Sequence, residues 1–435
     1  VIRLLGLALA VGALTALGVA ALKGLLFGAE WLLLSWTEEG WPGLPPLAVL
    51  LIPAGGGLLV GLALRAGGVR EHPEHGVTEV IRAATMDLEE FPHREVPLKV
   101  SLAAVSLGAG ASLGPEDPSV EIGGAFGEWL GRRFGLEHAA VRSLVASGAA
   151  GGVSAVLLTP LAGVLFAVEV FAVRLRSRAL ALVAASALVA WLGMRALLPG
   201  AQLELGVGLG TFELLPLRAL LFCGALGLLA GLLSVAQIRL SYGIRHGFVR
   251  ATRVPRWLKP AIGGLLLGAG GLVLPELLGM GYETTEARVA GEVVAPALLA
   301  ALLLGKMLLT AVSFGSGFLG GFFAPAFFIG ATLASLLAAT TGAWLAPEAG
   351  VGTLALLGLA ALLAGLVHAP LTAVATAAAL SGAWGLVPHL LLACFASAWT
   401  ARRILRGSIY TYPIPDEESE EADAGDDFRD QPDLG

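Results

Sequence analysis

The sequence repeats itself, and the repeat restricts the possible folds more than any other feature. Val105-Ser-Leu-Gly-Ala-Gly110 returns as Val312-Ser-Phe-Gly-Ser-Gly317, an offset of 207 residues. At the same offset Ala54-Gly-Gly-Gly-Leu-Leu-Val-Gly61 matches Ala261-Ile-Gly-Gly-Leu-Leu-Leu-Gly268. Gly114, Pro118, Ile122 and Gly123 fall on Gly321, Pro325, Ile329 and Gly330, and Pro160-Leu-Ala162 matches Pro370-Leu-Thr372 at an offset of 210. Islands held in register over so long a stretch divide the chain into two halves, 1–206 and 207–413.

Each half is a series of long apolar runs. Hydrophobic residues make up 56% of the chain and charged residues 14%, where a soluble domain carries about 25% charged residues. That deficit excludes a soluble enzyme, a coiled coil and a disordered chain, and leaves a polytopic α-helical membrane protein. Residues 4–36 are apolar for too long to be a cleavable leader and read as the first membrane helix. Cys223 and Cys394 both sit in apolar runs and form no disulfide framework.

Loop charge orients the halves. Residues 37–46 hold Glu38 and Glu39 and no base, whereas the counterpart at 239–259 holds Arg239, Arg245, Arg250, Arg253, Arg256 and Lys259 and no acid. The next turn reverses the pattern, with Arg65 and Arg70 in the first half and no base over 270–280 in the second. Basic loops stay cytoplasmic, so the repeats are inverted. Arg174, Arg176 and Arg178 mark another cytoplasmic loop, and Arg402, Arg403 and Arg406 place the C-terminus on that side. The final segment, 414–435, packs ten acids against Arg429 and reads as a disordered, solvated tail. The basic 239–259 loop suits lipid headgroups better than nucleic acid.

Inverted repeats bury their site near the midplane, between broken helices whose N-termini face an anion. The glycine strings 108–114 and 315–321 break helices. Pro118 and Pro325 then sit in the first turn of the next ones, where a missing N–H costs nothing. Unpaired N–H groups at two such starts make an anion site. Between them lies Glu116, an intramembrane acid and so a functional residue by default. Asp117 follows it, and neighbouring carboxylates disfavour joint ionisation.

These residues resemble the CLC family of chloride channels and proton-coupled chloride exchangers. Gly320-Gly-Phe-Phe-Ala-Pro325 with Phe328-Ile-Gly-Ala331 is similar to the family's GxFxP element, and Gly114-Pro-Glu-Asp-Pro118 to its GxEGP element. Glu74-His-Gly-Val-Thr-Glu79 sits where the family has GSGIPE, and Tyr410 where it has its pore tyrosine. The resemblance covers about residues 1–413. It implies an all-α, inverted-repeat membrane fold with many tilted and discontinuous helices, and a homodimer in the inner or plasma membrane. It implies chloride or a similar small anion as cargo, and no cofactor beyond a bound chloride ion.

By the same resemblance Glu116 is the gating glutamate, and the anion-binding set is His75, Glu116, Asp117, Phe322, Phe323, Ala324 and Tyr410. The chain departs from the family at Asp117, which replaces Gly, at Pro115, which replaces Arg or Lys, and at His75, which replaces the anion-binding Ser. His75 would add a group that titrates near neutrality. In the exchangers the second acid of a Glu-Glu pair relays protons from inside. Here Phe166-Ala-Val-Glu-Val170 keeps Glu169 but puts Val170 at the relay position. The expectation is therefore passive, channel-like conduction gated by Glu116. The alternatives are an H+/Cl− antiporter using a different inner acceptor, a divalent-metal transporter with a site over His72–Glu79, since His and carboxylates suit such cations, and a non-transporting membrane receptor or scaffold.

Overall fold

A computed structural model describes residues 2–35, 37, 40–69, 76–85, 93–173, 178–200, 217–342 and 350–412. His72, Glu74, His75 and the acidic tail 414–435 lie outside these residues; of the Glu74–Glu79 element 76–79 are described.

Among the described residues there are sixteen α-helices and no strand beyond one isolated bridge. The first half contributes α1 (Ile2–Leu34), α2 (Pro46–Ala66), α3 (Val77–Thr85), α4 (Val96–Gly108), α5 (Glu116–Arg133), α6 (His138–Leu157), α7 (Pro160–Val170) and α8 (Arg178–Leu197). The second contributes α9 (Leu217–Arg250), α10 (Lys259–Val273), α11 (Tyr282–Val289), α12 (Pro296–Ser316), α13 (Phe323–Leu337), α14 (Val351–Val367), α15 (Pro370–Ser381) and α16 (Val387–Ile404). Eight helices are long and apolar enough to cross a bilayer. Other apolar helices, among them Val96–Gly108, Pro160–Val170 and Pro370–Ser381, are shorter than a span. α4 ends into Gly110 at φ 92° and α12 into Gly317 at φ 103°, left-handed conformations that glycine adopts freely.

The same local chemistry recurs in both halves. α6 ends on Leu158 at φ 56° and α14 on His368 at φ 61°, residues 210 positions apart. Each is followed two residues later by a proline, Pro160 or Pro370, that opens the next helix. Contacts between helices are repeated as well. A Cβ at Gly57 of α2 would strike the carbonyl oxygen of Pro260 in α10, and one at Gly264 of α10 would strike that of Pro53 in α2. Gly123 and Gly148 meet in this way between α5 and α6, and Gly330 and Gly358 between α13 and α14. Without a hydrophobic drive between helices in lipid, small residues that let backbones touch supply the packing.

At the centre, residues 207 positions apart bond to each other. Gly114 N–H donates to Gly321 O at 2.8 Å and Gly321 N–H to Gly114 O at 2.7 Å, an antiparallel pair. Around it, Ser112 N–H donates to Ser313 Oγ at 3.0 Å while Leu319 N–H donates to Ser106 Oγ at 3.2 Å. This is the geometry of an approximate twofold axis lying between the halves.

The glycine crossing of α2 and α10 generates a stability prediction. Gly264→Val should overpack it, cost about 1–3 kcal/mol and lower the melting temperature of the detergent-solubilised protein. Gly55→Ala, on the same α2 but with nothing within 4 Å of its Cβ, should leave that temperature unchanged.

Candidate anion pathway

The site is built where α5 and α13 begin. The Gly114–Gly321 pair brings the two helix starts together, so Glu116 and Asp117 at the head of α5 face Phe322, Phe323 and Ala324 at the head of α13. The first N–H groups of a helix have no acceptor within it, and the positive ends of both helices meet here. A third start, that of α3, adjoins them, for Gly76 packs its Cα against the side chain of Asp117.

Glu116 is 1% exposed. Its Oε1 accepts from Tyr282 Oη–H at 2.7 Å, and its own N–H and that of Ala324 point at the carboxylate. Its Oε2 lies against Gly114, where a Cβ would displace it, and has no hydrogen-bond partner among the described residues. Tyr282 was not legible as a site residue, although one signal existed: it is the residue 207 positions after His75. It is held by the turn before it. Lys306, fully buried, donates to Leu277 O at 3.1 Å and Gly279 O at 2.7 Å, and Gly279 N–H donates to Gly110 O at 2.9 Å.

Asp117 points elsewhere. Its Oδ1 accepts from Tyr410 Oη–H at 2.8 Å. Tyr410 follows α16 and is pinned through its backbone: Thr78 Oγ1–H donates to Tyr410 O at 3.0 Å, Tyr242 Oη–H donates to Ile409 O at 2.8 Å, and Ile409 N–H donates to Leu366 O at 3.0 Å. The adjacent acids are thus divided between two tyrosines from different elements of the chain. Asp117 and Tyr410 line a cavity of ≈ 380 Å³. Its lining includes Arg245, Arg256 and Lys259 with Phe314 and Phe322, so its field favours anions.

Glu169 closes off another role. Its Oε1 accepts from Leu371 N–H at 2.9 Å, and its Oε2 accepts from Thr372 N–H and Thr372 Oγ1–H, each at 2.7 Å. It caps the start of α15 from α7, whose last residue is Val170. A buried ion cluster unforeseen in the sequence surrounds Lys99 of α4, which pairs with Glu79 at 2.6 Å, Glu121 at 3.4 Å and Glu95 at 3.8 Å. Glu79, the described acid of the candidate metal cluster, is therefore held by Lys99. No group of three metal-ligating side chains occurs among the described residues.

The sequence matches the family profile described as "Voltage gated chloride channel" over residues 56–402. It is 32% identical to the voltage-gated ClC-type chloride channel ClcB of Escherichia coli O81 (strain ED1a), over 94% of this chain and 98% of that protein. It is 31% identical to ClcB of Shigella flexneri, again over 94% and 98%. The structure resembles that of a slow cyanobacterial Cl−/H+ antiporter with a TM-score of 0.83 and 25% identity, over 94% of this chain and 96% of that one. It shares the fold of a CLC-type fluoride/proton antiporter at a TM-score of 0.77 and 21% identity, over 94% and 96%. Paired helix starts around a buried carboxylate, in an all-helical inverted-repeat fold with near-full-length relatives, lead to one conclusion: the chain is a multi-pass integral membrane protein that belongs to the CLC family of anion channels and transporters.

Proposed function

We propose that this chain carries chloride, or a small anion like it, through the helix starts of α5 and α13, with Glu116 as the gate. The observation that carries the reading is the position of the Glu116 carboxylate. It occupies the place where N–H groups and the Tyr282 hydroxyl would otherwise face an anion. An ionised Glu116 excludes the anion by occupancy and by charge. Protonation removes the charge, weakens the hold of those donors and frees the place, so flux rises as pH falls. Phe322, Phe323, Ala324 and Tyr410 supply the remaining donors, and His75 adds a further one on this reading. The halves 1–206 and 207–413 act as inverted repeats, and their antiparallel central pair supports that division. The basic cavity faces the cytoplasm with the C-terminus and the 414–435 tail, in an inner or plasma membrane, and the working unit is a homodimer.

Conduction on this reading is passive. Val170 offers no proton acceptor, and Glu169, which could have replaced it, is spent on capping α15. One observation favours the exchanger instead, namely the likeness in structure to a Cl−/H+ antiporter. Chloride-loaded liposomes at symmetric pH, clamped with a potassium ionophore, separate the two: passive flux moves no protons uphill, and sustained uphill proton uptake would establish exchange.

Glu116→Gln should raise chloride efflux from such liposomes at neutral pH by about tenfold and make its pH dependence shallower, and an unaltered pH profile would remove Glu116 from the gate. Tyr282→Phe deletes a hydrogen bond to a charged acceptor, an interaction of about 1.5–3 kcal/mol. Its loss should raise neutral-pH efflux about fivefold while leaving the Glu116→Gln variant unaffected.

A further inference from the structure

We infer that Asp117 is a tethered anion seated in the inner position of the pathway, a second carboxylate barrier in series with Glu116. The inference rests on the reading of Glu116 as gate, but on different contacts. An anion in the cavity lined by Arg245, Arg256 and Lys259 would also meet the Tyr410 hydroxyl and the start of α13. Cations and hydrogen-bond donors lining one cavity are the features of an anion site. The carboxylate of Asp117 already takes the Tyr410 donor, at 2.8 Å. It is 6% exposed and packed between Gly76 and Gly321, neither of which has room for a Cβ beside it.

The surrounding charges leave Asp117 in that role. From its own helix the neighbouring acids are Glu116, turned toward Tyr282, and Glu121. From α3 comes Glu79, which Lys99 of α4 holds together with Glu121. Lys23 of α1 acts on Glu116 and donates to Val156 O at 3.2 Å. Among the described lining residues, α13 and the C-terminal segment contribute no charged group, only Phe322, Ile409 and Tyr410. Among the described residues no basic side chain is bonded to Asp117, and the partner it does have is a hydroxyl that an incoming anion could use equally well.

Because it is covalently attached, the carboxylate competes at an effective concentration in the millimolar range or above. A free anion gains the inner position when Asp117 is protonated, or when it swings into the cavity, where Arg245, Arg256 and Lys259 would receive its charge. The two adjacent acids therefore fill two positions of one pathway. Opening it at neutral pH requires both to give way, which makes activation by protons steeper than a single gate allows.

The test is chloride calorimetry on the full-length protein in detergent at pH 7.5, paired with liposome efflux from pH 5 to 8, for Glu116→Gln, Glu116→Gln/Asp117→Gly and Glu116→Gln/Asp117→Asn. The single variant should bind chloride weakly and keep a residual rise in flux toward low pH. Both double variants should bind chloride at least tenfold more tightly and lose that residual slope. The Asn form preserves the size and polarity of Asp117, so it decides the matter if the Gly form does not fold. Equal chloride affinity in the single and double variants would overturn the inference while leaving the gate at Glu116 intact. If Glu116→Gln itself behaves as the parent does, the gate reading fails. A gain in affinity from adding Asp117→Asn would still establish Asp117 as the resident anion.

Discussion

Two backbone hydrogen bonds, between Gly114 and Gly321, hold the functional arrangement together. They join equivalent points of the two halves, and they do so where each chain has left one helix and not yet begun the next. The space around the pair leaves no room for a side chain at either residue. At Gly114 a Cβ would meet Glu116 and Ala324, and at Gly321 it would meet Asp117. The position of the carboxylates, the direction of two helix starts and the absence of side chains at the pair are one constraint seen from three sides.

Much of this was legible in the sequence because it is carried by residues with few alternative uses. Gly and Pro at matched offsets gave the repeat, the breaks and the first turns at Pro118 and Pro325. The opposite charges of equivalent loops gave the inversion. Glu116 stood out because an acid in an apolar setting has to have a purpose. The partners were not legible. Tyr282, Lys306 and the Lys99 cluster reach the site or its walls across long stretches of chain, and only tertiary packing determines which donor meets which acceptor. The orientation of Asp117 was hidden for a related reason. Successive side chains at a helix start point in different directions, and only the positions of Tyr282 and Tyr410 show which acid each meets.

The loss of the acid at Val170 gains meaning beside Glu169. The sequence shows one acid kept and one replaced, which says nothing about whether the survivor is available. In the structure its two oxygens accept three hydrogen bonds at the start of α15, in keeping with the preference of helix N-termini for negative charge. On the proposed reading of Glu116 as gate, protons reaching it from the inner side travel by groups other than Glu169.

The glycine crossings bear on how quickly such a protein can work. Where α2 meets α10, α5 meets α6 and α13 meets α14, backbone rests on backbone, with no side chains between them to be re-sorted. Interfaces of this kind resist the sliding and rocking by which whole domains exchange positions in microseconds to milliseconds. The carboxylate side chains of Glu116 and Asp117, with three and two rotatable bonds, need no such rearrangement to move, and side chains of this size change rotamer in nanoseconds or less when unhindered. If these carboxylates are the moving parts, as proposed, the clock of transport lies outside the scaffold, in the rate at which protons and anions arrive.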